Sequence, residues 1–203
     1  MGNNQTYKNR ALNTLDGEWS TAAIASLIVF VITGGVGSLI SMPFDTVSGQ
    51  GVSSLWTLLC IPLDWGFAVF FLNMARRSNI SYERLFDGYK DFIRIFLAGF
   101  LVELVVIIGC VLFIVPGIIA ALMFSQTSYI LKDDTEISAS DAMKKSMAMM
   151  QGHKMELFLL TLSFIGWAIL ACLTLGIGFL FLAPYIDTTL AHYYEDLKAE
   201  YAA

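Results

Sequence analysis

The sequence predicts an all-α protein: a polytopic membrane helix bundle of about six transmembrane helices with short cytoplasmic amphipathic helices between them. Three observations carry this. Apolar residues fill 57% of the 203 positions and charged residues only 14%, against about 25% charged in a soluble domain, so a water-soluble fold would lack the polar surface to cover itself. The apolar residues fall into stretches of about 20, the helix length that crosses a hydrocarbon core about 30 Å thick. The twelve basic residues cluster in alternate connections between those stretches.

Along the chain, spans are expected at 20–42, 54–75, 92–112, 115–131, 155–173 and 175–194. The block 92–131 would read as one long helix but for Pro116-Gly117, and the block from 155 onward is cut by Gly176-Ile177-Gly178. Proline breaks a helix it lies within and suits the first turn of a new one, so each block folds back as a tight hairpin. Lys8 and Arg10 precede the first span. Arg76, Arg77, Arg84, Lys90 and Arg94 separate the second from the third, Lys132, Lys144, Lys145 and Lys154 the fourth from the fifth, and Lys198 follows the sixth. The connections around 43–53, 113–114 and 174 carry no basic residue. The excess of Lys and Arg on cytoplasmic loops then places the N- and C-termini in the cytoplasm. No cleavable signal peptide is expected, because the chain is polar up to Trp19 and the first apolar run is too long for one. "MGNNQT" fits the short myristoylation pattern, an anchor that a chain with several spans does not need.

Both larger cytoplasmic connections carry amphipathic patterns. Tyr82, Leu85, Phe86, Tyr89, Phe92, Ile93 and Phe96 recur at helical spacing, as do Ala139, Ala142, Met143, Ser146, Met147 and Met150 after a Ser138-x-x-Asp141 capping box. Such helices lie at the membrane interface or pack under the bundle. Each amphipathic segment closes alike, with "DGEW" at 16–19, "DGYK" at 87–90 and "QGHK" at 151–154, and an apolar hairpin follows. The pattern predicts three repeats, roughly 1–76, 77–132 and 133–203, within a single membrane domain spanning 1–203. Gly17, Gly88 and Gly152 are expected as interfacial corners, where a left-handed residue ends a helix and turns the chain into the bilayer.

The repeat brings Asp64, Gln126 and Asp187, spaced 62 and 61 residues apart, into register within the apolar runs, and Glu103 adds a fourth polar group. Ionisable side chains at that depth are costly and face the bundle interior with a partner. They are read either as a polar intramembrane site for protons or cations, or as hydrogen-bonding glue between helices. Catalytic chemistry is not expected. There is no HExxH, P-loop or GxSxG pattern, Ser163 has no evident base, and the surroundings of Asp64 and Asp187 do not fit an aspartyl dyad. No metal site is expected, since His153 and His192 have no zinc-like ligand spacing. Cys60, Cys110 and Cys172 read as small buried residues. The net charge of −5 and the lack of a basic patch argue against nucleic acid.

Several blocks together carry a resemblance: "RLFDGYKDF" at 84–92, "IVPGIIAALMFSQTSYIL" at 114–131, "SMAMMQGHKMELFLLTLSFIGWAIL" at 146–170 and "APYIDTTLAHYYEDL" at 183–197, with "ALNTLDGEWSTAA" at 11–23. The chain resembles the bacterial integral-membrane family known as domain of unknown function 975. The resemblance implies a multi-pass protein of the bacterial cytoplasmic (inner) membrane and supplies no activity, cofactor or catalytic residue. The preferred expectation is a membrane accessory, scaffold or immunity-type protein whose partners are the lipid bilayer, another membrane protein or a second copy of itself. The alternative is a small transporter or channel-like protein. It is disfavoured because hairpins that all start from the cytoplasm differ from the inverted repeats common in secondary transporters. An intramembrane enzyme ranks last.

Overall fold

A computed structural model describes residues 2–41 and 46–202, with side chains outside 41–50, and among the described residues the fold is all-helical with no strand. Helix α1 (Asn4–Leu15) precedes α2 (Trp19–Phe30), which runs through a π-helical stretch, Val31–Val36, into α3 (Gly37–Ser41). Then come α4 (Thr46–Ala75), a 3-10 segment (Tyr82–Tyr89), α5 (Phe92–Leu112), α6 (Ile114–Phe124), α7 (Thr127–Asp133), α8 (Ala139–Met149), α9 (Lys154–Leu162), α10 (Ile165–Leu173) and α11 (Phe179–Tyr201). Five helical stretches are long and apolar enough to cross a membrane: Trp19–Ile40, Gly51–Ala75, Phe92–Leu112, Ile114–Asp133 and Lys154–Leu173. The expected sixth span falls in α11, whose first half is apolar but which also carries Asp187, Glu195, Asp196, Lys198 and Glu200. The start of the connection expected at 43–53 lies outside the described residues, and the chain is already helical from Thr46.

Helices α4 and α11 form the centre of the bundle. Val69, Phe70, Phe71 and Leu72 of α4 are fully buried, as are Ala191, Tyr193, Tyr194 and Leu197 of α11 or nearly so. One core packs Trp65, Val69 and Leu72 with Ile95, Tyr129, Met149, Leu157, Phe164 and Tyr194. A second packs Leu63, Phe70, Phe71 and Met74 with Leu15, Ala22, Ala25 and Leu85. Outside them a belt of exposed apolar side chains runs over Ile107, Ile108, Leu159, Ile165, Trp167 and Leu170, the surface that hydrocarbon would cover.

Helix α1 is part of this packing. Tyr7, Ala11 and Leu15, one turn apart on one face, are buried. Tyr7 meets Tyr193 edge-on, Arg10 grips Asp196 through two bonds of 2.9 and 2.8 Å, and Thr14 shares a 2.9 Å hydrogen bond with His192. Lys8 donates to the Ser163 carbonyl at 3.0 Å and lies over the Phe164 ring. Its burial pushes the ammonium below its ordinary range.

The hairpin turns form where Pro116 and the glycines predict. Phe113 alone, extended, separates α5 from α6, with Pro116 in the first turn of α6. A Cβ on Gly109 would sit 2.9 Å from the Gly117 Cα, so both glycines are needed for helices this close. The α10–α11 turn runs through positive φ at Leu175 and Gly176, and Thr174 Oγ1 accepts from the Gly178 N–H at 2.9 Å. The expected capping box also forms, Ser138 accepting from the Asp141 N–H at 3.1 Å.

Other elements depart from expectation. Two spans are broken, α6 from α7 at Ser125–Gln126 and α9 from α10 at Ser163–Phe164. Hydroxyls bridge both breaks: Ser125 donates to the Leu122 carbonyl and Ser163 to that of Leu160. The amphipathic pattern of 82–96 is a 3-10 segment followed by α5 rather than one α-helix. Cys60 is buried, but Cys110 and Cys172 are exposed, because their helices lie at the edge of the bundle.

Candidate functional site

Gly17, with φ of 82°, follows α1, and Gly152, with φ of 86°, follows α8; a β-carbon strains either conformation. Gly88 does not share that geometry. It lies buried in the 3-10 segment without a positive φ, and a Cβ there would overlap the Pro62 carbonyl oxygen. One α-turn along α4, a Cβ on Gly66 would overlap the Leu85 carbonyl oxygen. These paired glycines let two backbones touch, so Gly88 acts as a point of close approach and not as a left-handed corner. His153 begins α9, with Nδ1 3.2 Å from Glu156 and Nε2 3.5 Å from Glu200.

Of the four polar residues singled out within the apolar runs, two share a cleft. Asp64 of α4 and Glu103 of α5 line a cavity of 210 Å³ between α4, α5 and the α6–α7 arm of the hairpin, together with Trp65, Phe124, Thr127 and Ser128. Asp64 is exposed and Glu103 half-buried, so the cleft opens to the flank of the bundle. No basic residue lines it, and among the described residues neither carboxylate has an ion-pair partner. The Trp65 indole donates to the Ser128 carbonyl at 2.9 Å, tying α4 to α7 along the wall. Asp187, half-buried on α11, does not line the cleft. Gln126 turns elsewhere. It is buried, its N–H donates to Ser146 Oγ at 3.2 Å, its side-chain amide donates to Ser125 Oγ at 2.8 Å, and its Oε1 has no partner.

Thr127 was not evident from the sequence. It is 4% exposed, lines the cleft, and its hydroxyl is buried without a hydrogen-bond partner among the described residues. A helical threonine ordinarily donates to the carbonyl one turn back. Here the helix breaks at Ser125–Gln126, and the carbonyl four residues back, of Met123, accepts from Ser146 Oγ at 2.8 Å instead.

An ionic network closes one end of the bundle. The Arg76 guanidinium, just past α4, bonds both Asp133 oxygens at 2.7 and 2.9 Å and Glu195 at 2.9 and 2.6 Å. Lys198 and the Tyr194 hydroxyl also donate to Asp133, at 2.6 and 2.9 Å. The two carboxylates hold the Arg76 proton more firmly than usual. Arg76, Asp133 and Glu195 each stand at or near the end of a helical arm, but their meeting was not evident from the sequence, since Arg76 lies 57 residues from Asp133 and 119 from Glu195. Nearby, Arg94 donates to the carbonyls of Leu131, Asp134 and Ile137, capping the end of α7. Asp87 pairs with Lys90 and Arg84 at 2.7 and 3.2 Å; burial raises its carboxyl, but the two cations outweigh that and leave it below the ordinary range.

Among the described residues no group of three or more His, Cys, Asp or Glu gathers to hold a metal ion. Two carboxylates without a countercharge, an unpartnered hydroxyl and an aromatic wall can accept hydrogen bonds from a guest. Comparison with curated proteins and with solved structures finds no match. A protein family, in contrast, matches the chain over residues 1–121 and 104–201, nearly its whole length. The chain therefore belongs to the family described as "Protein of unknown function (DUF975)".

Proposed function

We propose that the chain is a non-enzymatic accessory protein of the bacterial inner membrane, with six spans and cytoplasmic termini, that works by binding a polar group of a lipid or membrane partner. The observation that carries the reading is the flank-facing cleft, where Asp64 and Glu103 share one cavity with no basic residue in its lining. A carboxylate in a span costs a few kcal/mol, and a guest group that supplies hydrogen bonds offsets that cost. The topology is supported by the five apolar stretches and by the ionic network on the side where basic residues cluster.

Native mass spectrometry of protein released from nanodiscs of native membrane lipids tests this. The wild type should keep a bound guest that is lost when Val102→Trp fills the cleft, and a wild type carrying no guest would refute the reading. Asp187, a third carboxylate within the apolar runs and carried by another helix, α11, favours a second reading, transport. Solute or ion flux into liposomes that depends on Asp64 would establish transport in place of the accessory role.

A further inference from the structure

We propose that the cleft between α4, α5 and α7 binds a primary ammonium group, hydrogen-bonded by Asp64, Glu103 and the Thr127 hydroxyl beside the Trp65 ring. The proposal rests on the reading of the cleft as a guest site and names the guest's chemistry.

Charge sets the sign. Two carboxylates line the cavity and no basic residue does, so the guest is a cation. The donor set does not fit a zinc-type site, which takes three or more protein ligands of the His, Cys, Asp and Glu kind, since no such group gathers among the described residues. The wall is instead mixed, with Trp65 and Phe124 beside the acids, and aromatic faces attract ammonium groups.

Hydrogen-bond valence selects among ammonium groups. A primary ammonium presents three N–H donors and no acceptor. The cleft presents acceptors on three helices: Asp64 on α4, Glu103 on α5 and Thr127 on α7. The Thr127 hydroxyl is the independent witness, because it is buried and has no partner among the described residues, a costly state unless a guest supplies one. A quaternary ammonium has no N–H and leaves that hydroxyl unsatisfied. Size agrees, since 210 Å³ lies below the roughly 300 Å³ where pockets for drug-sized ligands begin. The cavity takes a headgroup or a small amine and not a large solute. Because Asp64 is exposed, the amine enters from the flank, either free or as the headgroup of an aminolipid.

The test uses the full chain in nanodiscs of phosphatidylglycerol. Methylammonium and ethanolamine should raise the wild-type Tm in a saturable way, and tetramethylammonium should not. Asp64→Asn/Glu103→Gln, and separately Thr127→Val, should each weaken that response about tenfold or more, the equivalent of one charge-assisted hydrogen bond. Both variants remove a costly or unsatisfied polar group, and intact folding is checked by an unchanged circular dichroism spectrum and elution volume. In a second arm, phosphatidylethanolamine is added to the nanodiscs. Its retention by the wild type and loss in the double variant assigns the ammonium to a lipid, whereas a response to free amines alone assigns it to a soluble one. Equal responses to methylammonium and tetramethylammonium, or to wild type and double variant, overturn the proposal, as does no response to any amine or aminolipid. Selective retention of phosphatidylglycerol that the double variant abolishes overturns the ammonium assignment while leaving the guest site standing.

Discussion

At the level of single residues, glycine has two distinct uses in this chain. Gly152 permits a left-handed turn in open space, with nothing near the position of a Cβ, whereas Gly88 permits contact between backbones. Gly152→Ala should therefore cost about 1–2 kcal/mol of backbone strain, while Gly88→Ala, which must push α4 and the 3-10 segment apart, should cost at least as much and also loosen Leu85 from its core. Thermal unfolding in detergent reads the stability, and Tyr89→Trp fluorescence in each background reports whether the segment has shifted. All three glycines stand in similar motifs. Only the meeting of Pro62 with Gly88, set by how α4 lies on a segment 26 residues later, distinguishes the second, and no local pattern carries that information.

Asp87 allows a pH test at the same scale. Its folded pKa lies below the ordinary 3.8, so the stabilisation from Lys90 and Arg84 is complete above that value and disappears as pH falls through the folded pKa. The difference in Tm between wild type and Asp87→Asn should stay level from pH 7 to about 5 and shrink below about 4. A difference that grows on acidification would contradict the pairing.

At the level of elements, the ends of α4, α7 and α11 are held by one guanidinium. Arg76, Asp133 and Glu195 are only 17–33% exposed at their side chains, between the surface regime, where an ion pair contributes little, and the buried regime, where breaking one is severe. Arg76→Gln should destabilise by on the order of 2 kcal/mol, visible as a Tm several degrees lower. Arg76→Lys should recover little of it, because an ammonium lacks the planar fork that spans two carboxylates. The hairpins and the Ser138 cap were legible in the sequence, since proline, glycine and a capping serine act within a few residues of themselves. The network and Thr127 were not. Arg76 and Asp133 are 57 residues apart, and the Thr127 hydroxyl is free only because a tertiary contact from Ser146 occupies the Met123 carbonyl. Asp64 and Glu103 were recognised as unusual from depth alone, but their shared cleft depends on how α5 lies against α4 at Gly99, where a Cβ would overlap Ile61.

At the level of the whole molecule, the proposed topology with cytoplasmic termini has a direct test. Cysteine introduced at Lys144, on the outer face of α8, should react with a membrane-impermeant maleimide only after the cytoplasmic side is opened. Cysteine at Leu175, 95% exposed at a hairpin tip, should react in intact cells, in a background where Cys60, Cys110 and Cys172 are replaced by alanine. The reverse pattern would invert the bundle.

The seating of α1 on α11 also fixes the order in which the molecule is completed. Tyr7, Arg10 and Thr14 meet Tyr193, Asp196 and His192, residues made 178–186 positions later. Until those residues are made, the face of α1 at Tyr7 and Ala11 lacks this cover, while Leu15 can already pack with Leu63 and Phe70. The arrival of α11 covers that face, so a chain interrupted before α11 leaves Tyr7 and Ala11 exposed, a mark at one helix of the absence of another.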